Sequence, residues 1–94
     1  MDIRNEFISC LQKQDINKVF GHYFRMVRKG YQMSGKDIAE KMNISQQQWS
    51  RYECGKSKID LEKLVKIIFI LKINPSHMLS FISGEIGYKY INIF

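Results

Sequence analysis

No stretch of this chain stays apolar for long. The longest unbroken run, Ile67 to Leu71, falls far short of the roughly 20 residues that a membrane-crossing helix requires. Cysteine is scarce and scattered: Cys10 and Cys54 stand far apart, without CxxC or Cys/His clustering, and His22 and His77 are equally isolated. That spacing argues against a metal site or a structural disulfide, and for free thiols in a reducing compartment. Also missing are an acid pair, a nucleophile–base pair and a phosphate-cradling glycine loop, so the signatures of an enzyme are absent and no cofactor is expected. The opening residues, MDIRNEFISC, mix acids and polar residues into the first turns and do not read as a signal peptide, so a cytoplasmic setting is expected. Internal repeats and low-complexity tracts are lacking, and 94 residues suffice for one small core.

Acidic residues are sparse where basic ones gather. The net charge of +6 falls entirely within residues 16–58, where nine cations (Lys18, Arg25, Arg28, Lys29, Lys36, Lys41, Arg51, Lys56 and Lys58) meet three acids (Asp37, Glu40 and Glu53). A local cationic excess suits a polyanion, because clustered Lys and Arg release counterions from phosphates. Lys18, Arg25 and Lys29 are equally consistent with a solvated face.

What is present is a helical period almost throughout. Ile3, Phe7, Cys10 and Leu11 predict an amphipathic helix within residues 1–15; Ile16, Val19, Phe20, Tyr23, Phe24 and Val27 predict another over 16–29, stopped by Gly30. Ser34-Gly-Lys-Asp37 is a capping-box pattern opening a short helix from Gly35 to about Met42, with Ile38, Ala39 and Met42 on one side and Asn43 at the turn. Ser45-x-x-Gln48 opens the next, in which Gln48 is expected to reach back to its own backbone. Asp60 caps a helix from Leu61 to about Ile73 with Leu64, Val65, Ile68 and Leu71 as its core stripe, and Asn74-Pro75 starts a short helix to about Phe81. Gly84 and Gly87 are expected to break the pattern, leaving the β-branched and aromatic Tyr88–Phe94 as an extended strand. The reading is thus an all-α chain: an N-terminal helix in 1–15, a five-helix domain over 16–81 and a strand-like tail over 82–94.

At about 100° per residue, the helix after Ser45 puts Trp49 and Tyr52 on one face and Gln46, Gln47, Ser50, Arg51 and Cys54 on the opposite one. The rings must face the core, so the outer face presents amides, a hydroxyl and a guanidinium. Ala39 is small where two helices approach, and Ile44, Trp49 and Tyr52 fill the angle between them, which makes a helix-turn-helix. Such a face can read bases: glutamine bonds adenine through donor and acceptor, arginine forks onto guanine, and each good pair discriminates by about 1–3 kcal/mol.

From Arg25 to Leu79 the sequence resembles the Cro and CI repressor family of XRE-type helix-turn-helix domains, most clearly in "DIAEKMNIS" followed by "SRYECG". More narrowly, the "SGK" entry and "SQQQ-x-SRYE" are similar to small regulators encoded within bacterial fimbrial operons. The resemblance implies a DNA-binding transcription regulator in a bacterial cytoplasm, at the nucleoid when bound. It implies that Gln46, Gln47, Ser50 and Arg51 point into the major groove, that Lys56, Ser57 and Lys58 touch phosphates, and that Arg28 and Glu53 form a partly buried salt bridge. Around the two helix starts, Ser34, Gly35, Lys36 and Ser45 are expected to meet phosphates as well. Three departures stand out: Gly35 replaces a phosphate-touching glutamine, Cys54 a common Arg or Asn, and Trp49 a smaller Ile or Val.

One helix-turn-helix covers few base pairs, so a homodimer on two half-sites is expected. The widened apolar surface of the 61–73 helix, the N-terminal helix and the tail strand are its expected interface. The competing reading is a protein-binding adaptor or antitoxin-like partner on the same scaffold, which the polar, cationic outer face disfavours. Neither a membrane nor a small-molecule partner is expected.

Overall fold

The computed structural model describes residues 16–91, with side chains described over 16–84. The helix expected within 1–15 and residues 92–94 of the tail lie outside them. Five helices follow in order: α1 (Ile16–Gly30), α2 (Gly35–Met42), α3 (Gln46–Glu53), α4 (Leu61–Ile70) and α5 (Pro75–Ile91). No strand occurs among the described residues.

Helices α2 to α5 each begin where a short polar side chain satisfies an open amide. Ser34 and Asp37 form a full capping box at α2, with both bonds at 3.0 Å. Ser45 Oγ accepts the Gln48 N–H at α3, Asp60 Oδ1 the Lys63 N–H at α4, and Asn74 Oδ1 the Ser76 N–H at α5. The first four helices end alike, each in a left-handed residue: Gln32, Asn43, Gly55 and Lys72. In each case that residue's N–H bonds three residues back, and the next N–H bonds five back, as Asn43 to Glu40 and Ile44 to Ala39 show. This geometry turns the chain within two or three residues and leaves no slack between α2 and α3.

The core is built from Val19, Tyr23 and Phe24 of α1, Ile38, Ala39 and Met42 of α2, Trp49 and Tyr52 of α3, Ile67 of α4, Leu71 and Ile73 of the following turn, and Met78 and Ile82 of α5. α1 packs on α3 and α5, while α2 packs on α3 and α4. The α1–α3 approach is close enough to require Gly21, since a Cβ there would lie 2.3 Å from the Tyr52 carbonyl oxygen and 2.6 Å from that of Glu53. Gly55 closes the same junction, at φ 72° and with Lys18 backbone atoms 2.7 Å from where a Cβ would stand. On the other side of α1, the Tyr23 hydroxyl hydrogen-bonds His77 Nδ1 at 2.8 Å and its ring meets Phe81 at a centroid distance of 5.1 Å.

Three expectations are corrected. α4 ends at Ile70 because Lys72 turns left-handed, so Ile73 belongs to the turn. Its inward line is Leu64, Ile67, Ile68 and Leu71, spaced three, one and three; Val65, one residue off that line, is half exposed. The expected helix end near Phe81 and the strand from Tyr88 give way to one helix that runs through Gly84 and Gly87 to Ile91. A strand needs a neighbour for its backbone groups, whereas a helix satisfies its own. Two glycines cost about 1 kcal/mol each against alanine, which is less than an unpaired strand would forfeit. α4 and the first part of α5 meet at a bend of 117°, and no single helix among the described residues is long and apolar enough to cross a membrane.

Two substitutions test this geometry with opposite signs. Gly21→Ala should lose about 3 kcal/mol by overpacking against backbone. Lys72→Gly should gain about 0.5 kcal/mol by relieving a left-handed lysine, net of the added freedom of the unfolded chain. Urea unfolding midpoints at matched m-values measure both.

Candidate nucleic-acid interface

α3 is eight residues long, and helices below about 12 residues are marginal alone. Its neighbours therefore decide where it points. Trp49 and Tyr52 are buried and stack edge to face, 6.3 Å between centroids. The opposite face is outside: Gln46, Gln47, Ser50 and Arg51 are all exposed, as is the free thiol of Cys54. Gln48 is half-buried, and its backbone N–H bonds Ser45, but no bond from its side chain back to Ser45 completes a capping box.

The end of α3 is fixed by a carboxylate. Arg28 forks onto Glu53, with Nε donating to Oε2 at 2.6 Å and Nη2 to Oε1 at 3.1 Å, and the side chains are 11% and 10% exposed. The third guanidinium nitrogen, Nη1, donates to the Met33 carbonyl at 2.7 Å. Removing either partner of so nearly buried a pair leaves an uncompensated charge, at about 3–5 kcal/mol. Glu53 Oε2 also accepts the Trp49 indole N–H at 2.7 Å. This last bond is not read from composition or helical phase. The four-residue spacing of Trp49 and Glu53 is the signal that could have shown it.

Around α3 stand the remaining residues expected to meet a polyanion. Ser34, Lys36, Ser45, Lys56 and Lys58 are exposed, and Gly35 and Ser57 are half-exposed. The α2 capping box uses the Asp37 amide, leaving those of Gly35 and Lys36 at the open helix end. Arg51 Nε donates to Ser57 Oγ at 3.0 Å, so the guanidinium is braced against the 55–58 loop. The Ser34 backbone N–H, then the Ser34 hydroxyl, hold the Asp37 carboxyl below the ordinary carboxylate value, with Lys41 and Lys36 adding to the effect. Among the described residues no group of three or more His, Cys, Asp or Glu could hold a metal.

A polar outer helix, set on a helix of equal length across a left-handed turn and locked by a nearly buried ion pair, defines a helix-turn-helix. The profile of the family described as "Helix-turn-helix" matches residues 24–77, more than half of the chain, and the chain belongs to that family. Two crystal structures of the clp gene regulator ClgR from Corynebacterium glutamicum share the fold. One aligns at a TM-score of 0.70 and 18% identity over 83% of each chain. The other aligns at 0.68 and 20% identity over 73% of this chain and 90% of that one. No curated protein gives a significant sequence match.

The capping box carries a pH signature. Folding lowers the Asp37 pKa, so its contribution is complete above the unfolded aspartate value of about 3.9 and is lost as pH falls through the lower folded value. Between about pH 5 and about pH 2, the stability advantage of the parent over Asp37→Asn should shrink, as thermal melts of the two proteins at each pH would register.

Proposed function

We propose that the protein is a sequence-specific transcription regulator that reads the major groove of double-stranded DNA with α3 and works as a two-fold dimer. The observation that carries this reading is the split of α3 into a buried aromatic face and an exposed face of amides, hydroxyl and guanidinium. Gln46 and Gln47 suit adenine edges, Ser50 either base, and Arg51 guanine. Because Ser57 takes the Nε of Arg51, both terminal nitrogens remain for the fork onto O6 and N7. Lys56, Ser57 and Lys58 on one side, and Ser34, Gly35, Lys36 and Ser45 at the helix starts, take phosphates and set register. The family match and the fold shared with ClgR, a clp gene regulator, support transcription control. The "SQQQ" wording supports a place among regulators encoded with fimbrial operons, acting in a bacterial cytoplasm.

The dimer draws on α4. Leu61, Val65 and Phe69, spaced four apart on the face away from Ile67, are 79%, 50% and 75% exposed. A two-fold axis across this stripe buries it against itself. The same stripe is the specific observation behind a second reading, a protein-binding adaptor or antitoxin-like partner on this scaffold. In that reading α3 contributes little.

Selection of bound duplexes from random DNA tests the function directly, and a protein that enriches no sequence sinks it. With an enriched site in hand, Arg51→Ala should relax preference at one base step per half-site by about 1–3 kcal/mol. Lys56→Ala should instead weaken all duplexes alike and reduce the salt slope by about 1. Phe69→Glu should sediment as a monomer where the parent is a dimer; unchanged sedimentation of the two would remove α4 from the interface.

A further inference from the structure

We infer that Trp49 is a positioning residue: its indole sets the spacing between the phosphate-meeting end of α2 and the base-reading face of α3. The inference rests on the DNA-reading function proposed above. Trp49 is 1% exposed and cannot touch a base itself. Two of its edges meet the two elements concerned. Its N–H donates to Glu53 Oε2 at 2.7 Å, at the end of α3. Its Cδ1 lies 3.7 Å from where a Cβ of Gly35 would stand, at the first residue of α2.

The same carboxylate oxygen is 2.6 Å from Arg28 Nε, and Arg28 also grips the Met33 carbonyl, one residue before the Ser34 cap. A closed chain of contacts therefore runs from the α2 start through Arg28, Glu53 and Trp49 back to Gly35. An indole without its donor could rock about its own side-chain torsions within this ring. The α2 start and the outer amides of α3 would then lose their fixed offset, while each surface stayed chemically intact. Base reading depends on that offset, because side chains must meet base edges while the amides meet phosphates. Charge-driven binding does not depend on it, because phosphates repeat along the duplex.

The experiment uses the full-length protein, a duplex enriched by it from random DNA, and a scrambled duplex of equal length. Trp49→Phe keeps a ring and removes the donor. Replacing Trp49 with benzothienylalanine removes the N–H at nearly constant shape and carries the test if the phenylalanine variant fails to fold. Both variants should bind the enriched duplex about tenfold or more weaker, while affinity for the scrambled duplex and its salt slope hold. A 7-azatryptophan at position 49, which retains the N–H, should restore the parent ratio. An unchanged ratio between the two duplexes, or an equal fall for both, overturns the positioning role and leaves DNA reading standing. A parent protein that enriches no duplex overturns the DNA reading and this inference together.

Discussion

The carboxylate of Glu53 is the point at which α1 and α3 are fastened together. It lies in a nearly dry position and accepts three N–H bonds, two from Arg28 and one from Trp49. A carboxylate stripped of water is unfavourable unless its lone pairs find donors, and here the donors come from two different helices. The consequence is mechanical. An eight-residue helix with no stability of its own acquires a fixed end, held to α1 through Arg28 and to the α1–α2 turn through the Met33 carbonyl.

Close backbone contact completes the clamp. Gly21 lets α1 approach the carbonyls of Tyr52 and Glu53, and Gly55 lets the chain leave α3 across the backbone of Lys18. Tight left-handed ends on α1 to α4 then keep the connections short, so the inner face of α3 is gripped at both ends and along its length. Trp49 and Tyr52 are buried because of this grip, and burying them turns the glutamines and Arg51 outward. The polar face is therefore a product of what happens on the apolar one.

Much of this was legible because it is local. Capping residues, the left-handed Asn43 and the phase of Trp49 and Tyr52 each depend on neighbours within one helical turn. The family match over residues 24–77 agrees with that reading. What escaped was decided by partners distant in sequence or by choices between near-equal options. Val65 and Ile67 are equally apolar, and only the docking of α2 against α4 selects Ile67 for the core. The aromatic tail has strand propensity, but propensity for a strand means little without a partner strand, and α5 continues instead. α1 ends at Gly30 as expected, but the left-handed residue that turns the chain after it is Gln32, which the sequence does not mark; its N–H bonds the Lys29 carbonyl and the Met33 N–H bonds that of Arg28. His77 finds Tyr23 only once α5 has folded back onto α1.

Two departures from the expected pattern, Trp49 and Gly35, lie against each other in the fold. The large indole, where the resemblance leads to an expectation of Ile or Val, reaches the start of α2, and a Cβ on Gly35 would stand in ordinary van der Waals contact with its Cδ1, so the indole accommodates glycine there without requiring it. In the proposed complex, glycine there gives up the side-chain contact to phosphate that a glutamine would make. It also leaves the α2 amides uncovered, and a bare backbone can approach an anion more closely than one shielded by a side chain. In the proposed complex, then, the phosphate grip moves from a flexible amide side chain to the helix end itself, whose position is set by the indole beneath it. A phosphate contact made by rigid backbone has less freedom to adapt when α3 shifts. That places more of the burden of register on the ring of contacts through Glu53 than a side-chain phosphate contact would demand.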